Sequence, residues 1–173
     1  MFEGTVRLSR KQSEMGNVIV VRHRNGLETV YGNNAQNLVN VGDYVRAGQT
    51  IAIAGSRDGK IFCEFQIMVN GCRINPSTII DVRSHKLRPQ TILCEKNGSL
   101  VNVSILGDKT DIEETEDEMK LDRMFEKSST FKLNLEKMEK QRWAYPLPGA
   151  KVISPYGGKR RHSGVDLKTK PND

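Results

Sequence analysis

The feature that most constrains this chain is the rhythm of its first 80 residues, where short β-branched runs alternate with glycine and asparagine turns. The runs are Gly4-Thr5-Val6, Val18-Ile19-Val20-Val21, Thr29-Val30-Tyr31, Thr50-Ile51-Ala52-Ile53-Ala54 and Phe65-Gln66-Ile67-Met68-Val69. Asn25-Gly26, Val41-Gly42-Asp43, Arg57-Asp58-Gly59 and Asn70-Gly71 cut them apart. Segments of this length between such turns read as strands. Val, Ile and Thr favour a pleated, half-buried surface because their branched side chains pack well there. A helical reading fails, since no 3.6-residue apolar stripe lasts three turns and glycines interrupt every candidate.

The remainder divides by composition. Residues 81–108 read as further extended chain, with a hairpin in which Thr91-Ile92-Leu93-Cys94 and Leu100-Val101-Asn102-Val103 flank Lys96-Asn97-Gly98. Residues 109–142 open with Asp111, Glu113, Glu114, Glu116, Asp117 and Glu118 and end with Lys137, Lys140 and Arg142. That polarity suits a helix dipole. Ser128-Ser129-Thr130 interrupts it and apolar residues are sparse, which predicts a charged linker, partly helical and partly disordered. From Trp143 the chain turns proline-punctuated and then β-rich as far as Asp173.

The net charge of +6 is compatible with nucleic acid, anionic lipid or anionic cell wall. No Lys/Arg block is dense enough to form a nucleic-acid patch, and few aromatics lie near the basic residues, so no nucleic-acid partner is expected. No apolar run reaches the roughly 20 residues of a membrane helix. Met1-Phe2-Glu3-Gly4 does not open a signal peptide. Cys63, Cys72 and Cys94 are too few and too far apart for a metal cluster of their own. The turn between Cys63 and Cys72 sets Val69, not Cys63, opposite Cys72, and the three read as buried, reduced thiols.

The chemistry concentrates at His162-Ser163-Gly164-Val165-Asp166. Imidazole and carboxylate are both good zinc ligands, and this spacing can fold both onto one ion. By itself the pair is equally a loop histidine beside a surface carboxylate. The surrounding residues carry more. Ser154-Pro155-Tyr156-Gly157, followed by His162-x-Gly164-x-Asp166, resembles the opening of the lysostaphin-type (LytM-type) zinc metallopeptidases, which cut peptidoglycan cross-links. Residues 4–80 resemble the rest of that domain. Gly16–His23 with Asn25–Tyr31 is similar to its central hairpin, and Val41-Gly42-Asp43-Tyr44-Val45-Arg46-Ala47-Gly48-Gln49 to its closing turn. Phe65–Gly71 and Ile74-Asn75-Pro76 are similar to its last strands.

The resemblance implies a mainly β fold: an antiparallel β-sheet or barrel-sandwich domain of the duplicated hybrid motif type, here with the charged linker attached. It implies one zinc ion with His162 and Asp166 as its first two ligands. The family carries His-x-His before the strand like Phe65–Val69, where this chain has Phe62-Cys63-Glu64. Glu64 is then the candidate third metal ligand, or a salt-bridging strand residue. Phe62 can neither coordinate nor move a proton. Asn33 stands where the family places a further histidine, and an amide is no general base. His23 matches a histidine that is common at this strand end without being a ligand. No catalytic residue is assigned, and zinc is expected to bind weakly here.

The segments also run in the wrong order, because the His-x-Gly-x-Asp motif follows the strands it precedes in the family. A tandem of two domains is the reading preferred over circular permutation. Residues 1–80 are then the C-terminal part of a degenerate peptidase-like domain, 81–142 a hairpin and charged linker, and 143–173 the truncated beginning of a second domain. Residues 143–173 are expected to dock on residues 1–80, within one chain or swapped between two, and bring His162 and Asp166 towards Glu64; the rival expectation is a disordered tail.

Two functions follow from the resemblance. One is a peptidoglycan metalloendopeptidase of the bacterial periplasm or cell surface, incomplete and inactive in this form. The other is a non-catalytic envelope module that binds peptidoglycan or regulates another hydrolase. The turn at Val41–Gln49 also resembles lipoyl- and biotinyl-carrier domains, but no lysine sits at a hairpin tip beside methionine.

Overall fold

The structure is a computed structural model that describes residues 1–24, 26–69, 71–98, 100–106, 130–139, 142–159 and 161–170. Its strands are β1 (Gly4–Gln12), β2 (Gly16–His23), β3 (Leu27–Asn37), β4 (Tyr44–Val45), β5 (Ala52–Arg57), β6 (Lys60–Val69) and β7 (Cys72–Ile74). They continue as β8 (Ile80–Asp81), β9 (Lys86–Leu87), β10 (Thr91–Asn97), β11 (Leu100–Leu106) and β12 (Thr130–Asn134). One short helix, α1 (Leu135–Glu139), precedes β13 (Lys151–Ser154) and β14 (Val165–Lys168). β1 runs longer than its apolar run because alternating polar residues extend it along an exposed face, whereas β3 runs on through the buried Asn33 and Asn34.

Antiparallel pairing joins the largest sheet in the order β13-β14-β6-β5-β3-β2-β1-β4, with β7 also on β6 and β6 also on β3. The path ends at β13 and β4, so the mainly β, antiparallel fold takes the form of an open sheet among the described residues. β6 is its centre. Lys60–Phe62 pairs with β5, and Glu64–Val69 with β3. On the opposite flank, Phe62–Phe65 pairs with β14, and Ile67–Val69 with β7.

Period-2 alternation divides β6 between two faces. Cys63, Phe65, Ile67 and Val69 enter the main core beside Ile19, Val21 and Tyr31. That core continues through Ile79, Ile80 and Leu87 into Ile92, Cys94 and Leu133 on the inner side of a second sheet ordered β11-β10-β12, and into Leu135 at the start of α1. Each such side chain contributes about 1.5–3 kcal/mol by burial. Gln66 and Met68 take the other face, where Met68 joins Met15, Val18, Val20 and Val30 in a smaller cluster.

The expected hairpin forms with Asn97 opposite Leu100. Part of the predicted linker is ordered differently. Thr130–Asn134 is a strand paired with β10, because Leu133, Leu135 and Met138 are few but spaced to reach the core. The acidic run from Asp111 to Glu118, Ser128-Ser129, and the turn asparagines Asn25 and Asn70 lie outside the described residues. Val69 does pair with Cys72, and no cysteine is in a disulfide. Cys72 is half-buried rather than buried, because it lies in a short strand on the flank of β6. No helix among the described residues is long and apolar enough to cross a membrane.

Candidate metal centre

Strand register brings the motif residues together. β14 pairs with β6 so that Val165 faces Phe65, Asp166 faces Glu64 and Leu167 faces Cys63. Val165 and Leu167 enter the core, which turns Asp166 onto the same face as Glu64. Gly164 makes this approach possible, since a Cβ there would collide with the Phe65 carbonyl oxygen and the Gln66 side chain.

His162 arrives from a tight loop. Gly157 N donates to His162 O at 2.7 Å and His162 N to Gly157 O at 3.0 Å. Gly157 and Gly158, with φ of 75° and 67°, permit the reversal, and Arg161 completes it at φ 51°. The imidazole then lies over the two carboxylates. Its Nε2 is 3.4 Å from Asp166 Oδ1 and 3.9 Å from Glu64 Oε1. Its Nδ1 is 3.3 Å from both the Pro155 carbonyl oxygen and Ser154 Oγ. A carbonyl only accepts, so Nδ1 is the ring nitrogen placed to donate to Pro155, and Nε2 is the one turned to the carboxylates.

Ligand atoms of Glu64, His162 and Asp166 thus lie within 4.8 Å of one another, with Glu64 buried and the other two partly buried. Like charges directly opposite in an antiparallel pair are destabilising. Two facing carboxylates and an imidazole lone pair therefore call for positive charge between them, from a proton on Nε2 or from a cation. The donor set suits a divalent ion. Adjacent ligands of a tetrahedral ion at about 2.0–2.1 Å stand about 3.3 Å apart, near the His162–Asp166 spacing, and Glu64 would have to move closer. Cys63 takes no part. It points into the opposite face, and burial, with the nearby Glu64 and Asp166 charges, pushes its thiol up to about 12.

Comparison with known proteins concerns the first part of the chain. Residues 1–76 match Peptidase family M23. The murein hydrolase activator EnvC of Escherichia coli (strain K12) is 41% identical over 76 residues, which is 43% of this chain and 18% of that protein. Stage II sporulation protein Q of Bacillus subtilis (strain 168) is 34% identical over 84 residues, 46% of this chain and 30% of that protein. The chain therefore spans less than a third of the length of either relative. A structure of the SpoIIQ–SpoIIIAH pore-forming complex is similar at 33% identity and a TM-score of 0.41, over 43% of this chain and 50% of that one.

Within the matched segment, Phe62 and Asn33 stand where the resemblance places catalytic histidines, and His23 where it places a histidine that is not a ligand. Phe62 is buried, with the Arg57 guanidinium 5.6 Å from its ring centroid. Asn33 adopts φ 59°, a left-handed conformation that asparagine tolerates. Its Nδ2 donates to Gly55 O at 3.0 Å and Phe62 O at 2.8 Å, joining β5 to β6. His23 is a core imidazole with Nδ1 3.0 Å from Glu3 O and Nε2 2.8 Å from Thr29 Oγ1. Burial lowers its pKa to about 4, against a raising hydrogen bond to Glu3.

Sequence reasoning missed Gln66. It is 1% exposed, and its Nε2 donates to Glu64 Oε1 at 2.8 Å and to Ser163 Oγ at 3.0 Å. The signal was available: Gln66 follows Glu64 by two residues and so shares its face. Ser154, read as part of a turn motif, also reaches His162.

Proposed function

We propose that this chain is a non-catalytic M23-type module of the bacterial envelope. It holds one divalent cation, zinc in the resemblance, between Glu64, His162 and Asp166, and it binds peptidoglycan or regulates a hydrolase that cuts it. One observation carries the reading: a single imidazole serves the cluster. The chain has three histidines. His23 is held in the core by Glu3 and Thr29, and His85 stacks on Tyr145 at 4.1 Å between ring centroids. Amide hydrolysis at a zinc site needs a group to orient water and accept its proton, alongside the ion's polarisation of water and carbonyl. His162 and both carboxylates face the cation position, Phe62 has no titratable group, and both Asn33 amide protons are directed at backbone carbonyls.

The printed name of the EnvC relative, an activator rather than a hydrolase, supports the regulatory form of this reading and a periplasmic or surface location. The shared sheet supports a composite site, with Glu64 from the M23 segment and His162 and Asp166 from residues 143–170. Purified protein incubated with purified peptidoglycan should sediment with the wall and release no peptides, with or without added zinc. Zinc-dependent peptide release that His162→Ala abolishes would overturn the proposal.

A further inference from the structure

Gln66 has a chemistry that the metal cluster alone does not explain. A buried primary amide offers two N–H donors at one end and an acceptor at the other. In this chain both ends are committed. The Nε2 end donates to Glu64 Oε1 at 2.8 Å and to Ser163 Oγ at 3.0 Å, with Met15 Sδ at 3.8 Å. The Oε1 end accepts from Arg73 Nε at 2.8 Å. The reverse orientation would set the amide oxygen against the Glu64 carboxylate and the amide N–H groups against a guanidinium. Both contacts would repel, so Arg73 determines which end of Gln66 faces Glu64.

We infer that Gln66 is the positioning residue of the cation site, with Arg73 setting its orientation. One amide restrains two of the three ligands. It holds Glu64 through the oxygen nearest His162, 3.9 Å from Nε2, and it holds His162 through the adjoining Ser163. Three separate pieces of chain, β6, β7 and the 157–162 loop with Ser163, thereby meet on a side chain that is itself almost fully enclosed. Hydrogen-bonded partners of this kind orient ligating carboxylates, and their loss weakens metal affinity about 10–100-fold.

This inference rests on the cation reading above, and calorimetric titration with Zn²⁺ separates the two. The full chain should bind one ion. Gln66→Met, similar in volume but without donors, should bind about 10–100-fold more weakly. Arg73→Met lies at the exposed end of the relay and should lose affinity too, while Arg73→Lys, which keeps a donor for the amide oxygen, should recover most of it. The metal-free proteins should retain wild-type circular dichroism, and Arg73→Met keeps the test open if Gln66→Met does not fold. Equal affinity for the wild type, Gln66→Met and Arg73→Met overturns the positioning role and leaves the cation reading standing. Absence of ion binding by the wild type overturns the cation reading and this inference with it.

Discussion

At the scale of single residues, burial decides what each polar group can do. His23 is 3% exposed and neutral in the fold, with burial lowering its pKa from 6.5 to about 4. A base depressed in this way binds its proton more readily in the unfolded chain. Its contribution is therefore complete above about pH 6.5 and is lost as pH falls towards 4. The cost should reach about 2 kcal/mol between pH 7 and pH 5. Urea denaturation at the two pH values should show that loss in the wild type and much less in His23→Gln. Gly164 works through the absence of a side chain. Gly164→Ala would drive a methyl group into the Phe65 carbonyl and Gln66, and should destabilise by about 1–3 kcal/mol in the same assay. A neutral result would mean that β14 does not approach β6 so closely.

At the scale of elements, β14 is a short strand with two tasks set by alternation. Asp166 and Lys168 take the face away from the main core, Asp166 partly buried in the cluster and Lys168 exposed, while Val165 and Leu167 are 2% and 0% exposed. The apolar pair anchors the strand, and register then fixes where the carboxylate goes. Leu167→Ala should cost about 2–5 kcal/mol, the range for removing a large aliphatic side chain from a packed core. A change below 0.5 kcal/mol, measured by thermal or chemical unfolding, would show that this strand is not packed. In the β10-β11-β12 sheet the position of the strand matters as well as the face, because β11 is an edge strand. Cys94 and Leu133 face the core, while Leu100 and Ile105 remain exposed on the outer strand β11.

At the scale of the molecule, the cation site depends on parts of the chain separated by almost a hundred residues. Glu64 lies in the M23 segment, and His162 and Asp166 lie near the end of the chain. An ion that binds the folded state and not the unfolded one stabilises it by mass action, about 2.7 kcal/mol at a free concentration one hundred times Kd. Zinc should therefore raise the melting temperature of the whole chain and leave that of His162→Ala unchanged. An equal shift in both proteins would place the binding elsewhere.

Local chemistry fixed much of this in the sequence. β-branched runs between glycine turns are enough to specify antiparallel strands, and the His-x-Gly-x-Asp spacing is enough to mark two metal-type side chains. Strand lengths were less legible, because polar residues on an outward face interrupt the apolar signal without interrupting the ladder. The strand at Thr130–Asn134 was hidden because its stability comes from pairing with β10 and from Leu133 in the core, both distant in sequence. The role of Gln66 was hidden for the same reason, since its partners Ser163 and Arg73 come from a loop and another strand. That His162 and Asp166 would approach Glu64 was expected from the resemblance, but only tertiary structure set the register that places Asp166 across from Glu64. Residue types propose ligands, but the register between distant strands sets the distances at which charges meet, and that register comes from packing Val165 and Leu167 into a core built by the rest of the chain.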